Sequence, residues 1–243
     1  MTGAPRGFPA PPSAPYEVIE VRNGGLVTGV VRLDDAPPRD TTVRPMTDQG
    51  VCGREYVDRT LAVDDERVGG AIVWLHDIRS GKRLPVERRF EVLHDDCRIV
   101  PRVQAVLAGG ALNVRSADDV AHRTRFTHRH TGEAIAIVRQ TDAGSVVPVE
   151  SVLARPGLLQ IRCDVHPWTM GWLAVFDHPY FVLSDPDGYF ALVDVPPGRY
   201  RVVAWHERLG AAQALVEVGA GRETRVELVF GDDHEDVQDP VGD

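Results

Sequence analysis

Residues 158–176 read Leu-Leu-Gln-Ile-Arg-Cys-Asp-Val-His-Pro-Trp-Thr-Met-Gly-Trp-Leu-Ala-Val-Phe, which is two apolar runs separated by a more polar stretch. The runs at 158–161 and 172–176 are short and apolar, which is typical of strands buried in a sheet. The stretch between them carries Cys163, His166 and Met170, whose sulfur and imidazole groups bind transition metals. The segment therefore predicts two neighbouring strands joined by a loop that concentrates metal-binding side chains.

The rest of the chain repeats this pattern of short apolar or alternating runs. They lie at 26–33, 71–75, 103–107, 134–138, 189–193, 200–205, 214–218 and 224–230. Turn-forming pairs separate many of them: Gly24-Gly25, Gly109-Gly110, Asp187-Gly188 and Pro197-Gly198. We therefore expect an all-β fold built as sandwiches or small barrels.

Composition excludes two broad classes of function. The 243 residues are 43% hydrophobic and 26% charged, as in an ordinary globular protein. A net charge of −9 argues against a nucleic-acid partner, because binding to phosphate backbones depends on clustered positive charge. No apolar run approaches the roughly 18 to 20 residues of a membrane span, so no transmembrane segment is predicted.

The C-terminal part carries a second motif. Residues 181–190 read Phe-Val-Leu-Ser-Asp-Pro-Asp-Gly-Tyr-Phe, and residues 194–200 read Asp-Val-Pro-Pro-Gly-Arg-Tyr. This pair of turns and strands resembles the carboxypeptidase regulatory-like (transthyretin-like) β-sandwich. The Gly-x-Val-x-Gly-x-Val strand that usually begins such a module has its nearest match far upstream, at 25–33. We therefore expect this sandwich to be split by an inserted domain, and a second domain that follows the sandwich is the alternative.

The spacing in the 158–176 segment matches the chemistry of blue-copper centres. Such centres hold the ion with one thiolate and two imidazoles in a plane, and with a distant thioether on the axis. Cys163, His166 and Met170 would supply three of these groups from one loop, and the second imidazole would come from an upstream strand. His122, which lies 41 residues before Cys163, is the candidate.

From about residue 97 to 178 the chain resembles a cupredoxin, specifically the plastocyanin-like domains of bacterial proteins that also carry a carboxypeptidase regulatory-like segment. The resemblance implies a cupredoxin-like Greek-key sandwich with copper (Cu+/Cu2+) as cofactor, and one-electron transfer as function. It implies His122, Cys163, His166 and Met170 as the metal ligands, with the His166 imidazole at the solvent edge as the electron exit. The implied partner is a redox protein or a membrane-associated electron-transfer complex.

Two departures from the family pattern bear on the ligands. Arg123 follows His122 where related domains commonly have Asn, and Thr169 stands where Met would follow Trp168. Met170 is therefore one position late. Successive residues of a strand face opposite sides, so this slip either is absorbed by the loop or turns the thioether away from the metal.

The three cysteines form no Cys-x-x-Cys pair, which argues against a structural zinc knuckle. Cys163 has His166 and Met170 close in sequence, whereas Cys52 and Cys97 have no such neighbours. We therefore expect a Cys52–Cys97 disulfide and a free Cys163. Three unrelated buried thiols remain the alternative.

These patterns predict the following domain boundaries: a flexible N-terminus at 1–15, the first part of the carboxypeptidase regulatory-like sandwich at 16–85, a cupredoxin-like domain at 86–178, the second part of the sandwich at 179–230, and a disordered acidic tail at 231–243. The expected disulfide and the resemblance indicate a periplasmic or extracellular location. The N-terminus lacks the apolar stretch of a secretory signal, so a cytoplasmic location also stays open.

Three other functions compete with electron transfer. A copper enzyme would have an open coordination position if Met170 does not reach the ion. A catalytic thiol at Cys163 beside His166 lacks the accompanying oxyanion-hole and orienting residues. A metal-free sandwich would act as an interaction module that docks onto a protein or a polysaccharide.

Overall fold

The structure is a computed structural model that describes residues 15–76 and 78–231. Apart from Pro15 and Gly231, the expected flexible N-terminus and acidic tail lie outside the described residues. The expectation of an all-β fold is confirmed. Within the described residues, helical structure is limited to α1, Gln49–Cys52, and a single 3-10 turn, Ser151–Leu153.

The described residues form 22 strands, numbered here in chain order. They are β1 (Glu17–Val18), β2 (Gly25–Leu33), β3 (Thr41–Val43), β4 (Tyr56–Asp58), β5 (Ala62–Asp64), β6 (Arg67–Gly69), β7 (Ile72–Leu75), β8 (Ser80–Gly81), β9 (Arg89–Asp95), β10 (Arg98–Val100), β11 (Val103–Leu107), β12 (Ala111–Ser116), β13 (His122–His128), β14 (Ala134–Gln140), β15 (Val146–Pro148), β16 (Gly157–Cys163), β17 (Met170–Phe176), β18 (Phe181–Leu183), β19 (Tyr189–Val195), β20 (Gly198–His206), β21 (Gly210–Val218) and β22 (Glu223–Phe230).

The strands divide between two compact units. The first unit takes the described residues up to Pro38, the segment Leu61–Lys82, and the described residues from Tyr180 onward. The second unit takes Arg39–Thr60 and Arg83–Pro179. Each unit is therefore assembled from segments that are distant in sequence.

The first unit contains two main sheets. One has the order β18-β7-β20-β21, and the other has β19-β2-β6-β5 with β22 paired in parallel to β2. Its core is apolar, and Val31, Val73 and Leu228 are among its fully or almost fully buried side chains. Strand β2 pairs with β19 in antiparallel register, which joins the glycine-rich strand at 25–33 to the motif near the C-terminus.

The second unit is a sandwich of a four-stranded sheet, β10-β9-β12-β15, and a five-stranded sheet, β11-β17-β16-β13-β14. Leu112 and Val114 from the first of these sheets and Phe126, Ile161 and Leu173 from the second share one buried core. Removing these apolar side chains from water supplies the main driving force for closing the two sheets. The β3-β4 hairpin belongs to the same unit.

Antiparallel pairing brings the predicted ligands to one end of the five-stranded sheet. Strand β13 begins at His122, and β16, which runs in the opposite direction beside it, ends at Cys163. Strand β17 starts at Met170 and pairs antiparallel with β16, which confirms the two strands expected from the 158–176 segment. The loop between β16 and β17 carries His166 back over the same sheet end.

The sandwich core predicts a strong effect of truncation at Leu173, whose side chain is fully buried. Leu173→Ala removes buried methyl groups and leaves a cavity, so we expect a loss of about 2 to 5 kcal/mol in the free energy of unfolding. Ile137→Ala on the same sheet is the control, because Ile137 is 43% exposed and should cost about 1 kcal/mol or less. Denaturant unfolding of both variants checks this, and equal losses would contradict the assigned core.

Candidate metal centre

Three predicted ligands converge at the end of the five-stranded sheet. The Sγ of Cys163 lies 3.7 Å from the Nδ1 of His122 and 3.8 Å from the Nδ1 of His166. The two Nδ1 atoms are 3.2 Å apart. All three residues are buried, with exposed fractions of 3% for Cys163, 2% for His122 and 0% for His166.

The triangle of donor atoms has the size that a bound metal ion requires. From the three separations, one central point lies about 2.1 Å from every corner, close to metal–imidazole bonds of about 2.0 Å and metal–thiolate bonds of about 2.3 Å. A single ion at that point would be bonded to two nitrogens and one sulfur. The residues present therefore fit a trigonal metal centre with a mixed nitrogen and sulfur donor set.

The backbone around Cys163 is held on both sides. Cys163 pairs with Thr124 across the sheet, and the N–H of Asp164 donates to the carbonyl of Arg123. Within the loop, the N–H of Cys163 donates to the carbonyl of Thr169. The N–H of Thr169 in turn donates to the carbonyl of His166. These bonds position the thiol and the loop imidazole without any contribution from a metal.

A carboxylate accepts a hydrogen bond from each imidazole. The Nε2 of His122 donates to Asp118 at 2.9 Å, and the Nε2 of His166 donates to Asp48 at 3.0 Å. A proton held on Nε2 leaves the Nδ1 lone pair of a neutral imidazole available for a metal. The carboxylates also set the rotation of both rings.

The structure confirms the disulfide between Cys52 and Cys97, whose Cα atoms are 5.0 Å apart. Cys163 is the free cysteine, as expected. Within the second unit, the disulfide links the short helix α1 to Cys97 beside the candidate site. The sulfur atoms of Cys52 and Cys97 and a ring nitrogen of His166 all lie within 4.8 Å of one another.

The expectation that His166 forms a solvent-exposed electron exit is wrong. Its side chain is fully buried, whereas Asp48, its hydrogen-bond partner, is 40% exposed. The covering group consists of residues 48–52 and the disulfide to Cys97, and we call it the 48–52 cap. Because these residues come from a distant part of the chain, the loop sequence alone does not reveal the cover.

The fourth predicted ligand, Met170, does not join the triangle. Met170 is the cross-strand partner of Arg162, and the two side chains therefore share one face of the sheet. Cys163 directly follows Arg162, so its side chain leaves the opposite face. The Met170 sulfur lies 3.5 Å from the Nε2 of Gln160 and 4.0 Å from a guanidinium nitrogen of Arg162. The one-residue slip thus turns the thioether away from the donor triangle.

Sequence reasoning missed three residues that surround the triangle. Asp118 lies in the acidic turn before β13, a position that could have identified it, whereas Asp48 gives no signal in the sequence. His94 is fully buried, and its ring stacks on the His122 ring with centroids 4.1 Å apart. Its Nε2 lies 2.6 Å from the Oγ1 of Thr124, a contact that ties His94 to the strand carrying His122.

The buried groups have shifted pKa values. Burial disfavours a charged His122, but hydrogen bonds to Asp118 and Cys163 outweigh it and raise the pKa of His122 to about 9. Burial would raise the pKa of Cys163, but hydrogen bonds from His122 and from nearby backbone amides lower that pKa to about 7. Without a metal ion, the two side chains therefore form an imidazolium–thiolate pair near neutral pH.

His94 behaves in the opposite way. Burial, reinforced by repulsion from His122, lowers the pKa of His94 to about 3. The ring therefore stays neutral while its stacked neighbour carries the charge. The neutral His94 ring packs against the His122 ring on the buried side of the site.

Comparison with known proteins finds similar solved structures. No family model matches the chain, and no curated protein matches it. Among the described residues, no helix combines the length and the apolar character that crossing a bilayer requires.

Several solved structures are similar to part of the chain. A copper-containing nitrite reductase from Thermus scotoductus SA-01 is 16% identical with a TM-score of 0.33, over 40% of this chain and 24% of that one. A purple cupredoxin from Nitrosopumilus maritimus is 17% identical with a TM-score of 0.30, over 35% of this chain and 98% of that one. Amicyanin from Paracoccus versutus is 15% identical with a TM-score of 0.31, over 38% of this chain and 85% of that one. The matched part thus spans about a quarter of the reductase.

The imidazolium–thiolate pair predicts an unusual thiol titration. Ultraviolet absorbance of the thiolate in the metal-free protein should show a midpoint at a pH of about 7, against about 8.5 for an ordinary thiol. Asp118→Asn keeps an acceptor for the Cys97 amide but removes the charge that holds His122 protonated, so the midpoint should rise. Cys163→Ser provides the baseline, and an unchanged midpoint in Asp118→Asn would contradict the coupling.

The pH dependence of stability follows from the same depressed pKa. An acid whose pKa is lower when folded stabilises the native state above its unfolded pKa, and this contribution disappears as pH falls through the folded value. The Cys163 contribution should therefore be complete above a pH of about 9 and be lost as pH falls through about 7. Denaturant unfolding of wild type and Cys163→Ser across this range measures it, and a pH-independent difference would contradict it.

The Cys52–Cys97 disulfide closes a loop with a sequence separation of 45 residues. Removing the disulfide should therefore lower the free energy of unfolding substantially. In the chain-entropy model, a loop of this size stabilises the native state by about 4 kcal/mol. The Cys52→Ala/Cys97→Ala variant should lose about that much in the free energy of unfolding. Alkylation of the unfolded, unreduced wild type should label Cys163 alone, and labelling of all three cysteines would exclude the bond.

Proposed function

We propose that the protein binds one copper ion through His122, Cys163 and His166 and that it functions as a one-electron carrier. The observation that carries this proposal is the triangle of two Nδ1 atoms and one Sγ, with sides of 3.2, 3.7 and 3.8 Å. Copper bound there would alternate between Cu(I), which favours the soft thiolate, and Cu(II), which favours imidazole.

The donor set favours copper over zinc. Structural zinc sites almost always have four protein ligands, whereas three protein donors, one thiolate and two imidazoles, converge at this site. The sulfur of Met170 lies on the opposite face of the sheet. A planar thiolate and two imidazoles form the trigonal set that blue-copper centres use.

The protein contributes a rigid and dry ligand cage. Cross-strand pairing and loop hydrogen bonds hold Cys163, and the carboxylates of Asp118 and Asp48 hold the two rings. The depressed pKa of Cys163 keeps its sulfur available as a thiolate at neutral pH. Ligands that are already in place require little rearrangement when the charge at the centre changes, and this favours electron transfer.

The enzyme alternatives receive less support from the site. Both a copper enzyme and a catalytic thiol require a substrate to reach the reacting atoms. Cys163, His122 and His166 are between 0% and 3% exposed, and the 48–52 cap covers the loop imidazole. A closed centre of this kind suits the passage of an electron better than the entry of a substrate.

Two further assignments accompany the proposal. We assign the first unit to a carboxypeptidase regulatory-like sandwich, split by the second unit, because β2 pairs with β19 although their motifs are far apart in sequence. We also place the protein in the periplasm or outside the cell, because its Cys52–Cys97 disulfide persists best in an oxidising compartment.

Copper titration tests the function. Cu(II) added to the full-length metal-free protein should bind at one equivalent and produce the intense visible band of a copper–thiolate bond. Cys163→Ser should abolish the band, and His122→Ala or His166→Ala should weaken or shift it. Met170→Leu is the matched control, and it should retain the band because the Met170 sulfur faces away from the triangle. A colourless wild-type protein, or a band that survives Cys163→Ser, would exclude the proposed centre.

A further inference from the structure

The outer surface of the five-stranded sheet concentrates positive charge. Thr124 and Phe126 of β13 face inward and are fully buried, so the alternate residues of this strand face outward. Four arginines occupy outward positions of three neighbouring strands, and we call them the arginine face: Arg123, Arg125, Arg139 and Arg162.

The register makes these arginines direct neighbours. Arg123 pairs with Arg139 across β13 and β14, and Arg125 pairs with Arg162 across β13 and β16. Like charges placed directly opposite each other on a sheet are destabilising. The arrangement therefore has a cost in stability, which points to a role outside folding.

One carboxylate partly offsets this charge. Asp164 lies 2.8 Å from a nitrogen of Arg125 and 3.4 Å from a nitrogen of Arg123. Arg139 and Arg162 are exposed on either side of this ion-pair group. The face presents four cations and one carboxylate, so its local charge is opposite in sign to the net charge of −9 of the whole chain.

The arginine face also lies directly behind the sulfur of the candidate centre. Arg162 and Asp164 flank Cys163 in the chain, each with its Cα about 3.8 Å from that of Cys163. A covalent path of a few bonds thus joins the thiolate to the outer surface. On the other side, the imidazole of His166 has no exposed surface, and Asp48 of the 48–52 cap accepts its hydrogen bond.

We propose that the arginine face is the docking surface for an acidic redox protein, and that the electron passes between copper and this partner through Cys163 and its neighbours in β16. In one direction, copper changes from Cu(I) to Cu(II) as the partner gains one electron, and the reverse step balances in the same way. This inference rests on the proposed electron-transfer function and specifies its partner and route.

Apolar residues beside the arginines favour a protein over another polyanion. Ile137 is 43% exposed, and its cross-strand partner is Arg125. Met170 is partly exposed beside Arg162. Arginine and methionine are enriched at protein interfaces, where apolar contacts accompany the charged ones.

Small redox ions test the route. The copper-loaded, reduced full-length protein is mixed at low salt with anionic hexacyanoferrate(III) or with cationic tris(phenanthroline)cobalt(III), and the return of the visible band is followed. Arg139→Gln/Arg162→Gln should slow the anionic oxidant about 3- to 10-fold and accelerate the cationic one, because steering depends on local charge. The reduction potential of each variant is measured so that driving force is separated from docking.

Arg89→Gln/Arg115→Gln is the matched control for these rates. It removes two exposed arginines from the four-stranded sheet of the same unit and makes the same change in net charge. This variant should change each rate by less than about 2-fold, since only charge near the docking surface steers the encounter. Equal effects of the two double variants would overturn the proposed surface.

Protein probes test the class of partner. An acidic c-type cytochrome should exchange electrons faster than a basic one, and high salt or Arg139→Gln/Arg162→Gln should remove the advantage. Faster electron exchange with the basic cytochrome would overturn the inference. Binding of single-stranded RNA to the arginine face would also overturn it if the RNA does not slow electron exchange with the acidic cytochrome. A wild-type protein that forms no copper–thiolate band would instead refute the proposed function, so the two failures are distinguishable.

Discussion

The antiparallel register between β13 and β16 is the constraint on which the candidate centre depends. Pairing of Thr124 with Cys163 places the end of one strand beside the start of the other, so that the Cys163 thiol and the His122 imidazole meet. A shift of one residue would send Cys163 to the outer face and an arginine into the core. The buried apolar residues of both sheets resist such a shift, and the sandwich core therefore maintains the geometry of the site.

Two carboxylates orient the imidazoles that the strand register brings together. Buried imidazoles would be poorly oriented and poorly solvated without partners, and Asp118 and Asp48 provide those partners. The same hydrogen bonds direct both Nδ1 atoms toward the Cys163 sulfur. Orientation of the rings, the high pKa of His122 and the low pKa of Cys163 thus have one origin, a compact hydrogen-bonded cluster shielded from water.

The cap and the arginine face have complementary consequences for access. The disulfide and Asp48 link residues 48–52 to the candidate site, where the loop imidazole of His166 has no exposed surface. The outer surface of the five-stranded sheet remains exposed, and its charge is opposite in sign to that of the protein as a whole. Both features lie within the second unit. Together they separate the ligands from solvent while leaving a short covalent path to one surface.

Much of the candidate site is visible in the sequence, because its essential information is local. Short apolar runs predict strands without knowledge of the strands that they pair with. Cys163 and His166 lie three residues apart between two such runs. Four features instead required the tertiary structure: the carboxylate of Asp48, the stacking of His94, the burial of His166 and the outward orientation of Met170. The first three depend on contacts between residues distant in sequence. The fourth depends on strand register. Met170 is the first residue of its strand, and a shift of one residue along a strand moves a side chain from one face of the sheet to the other.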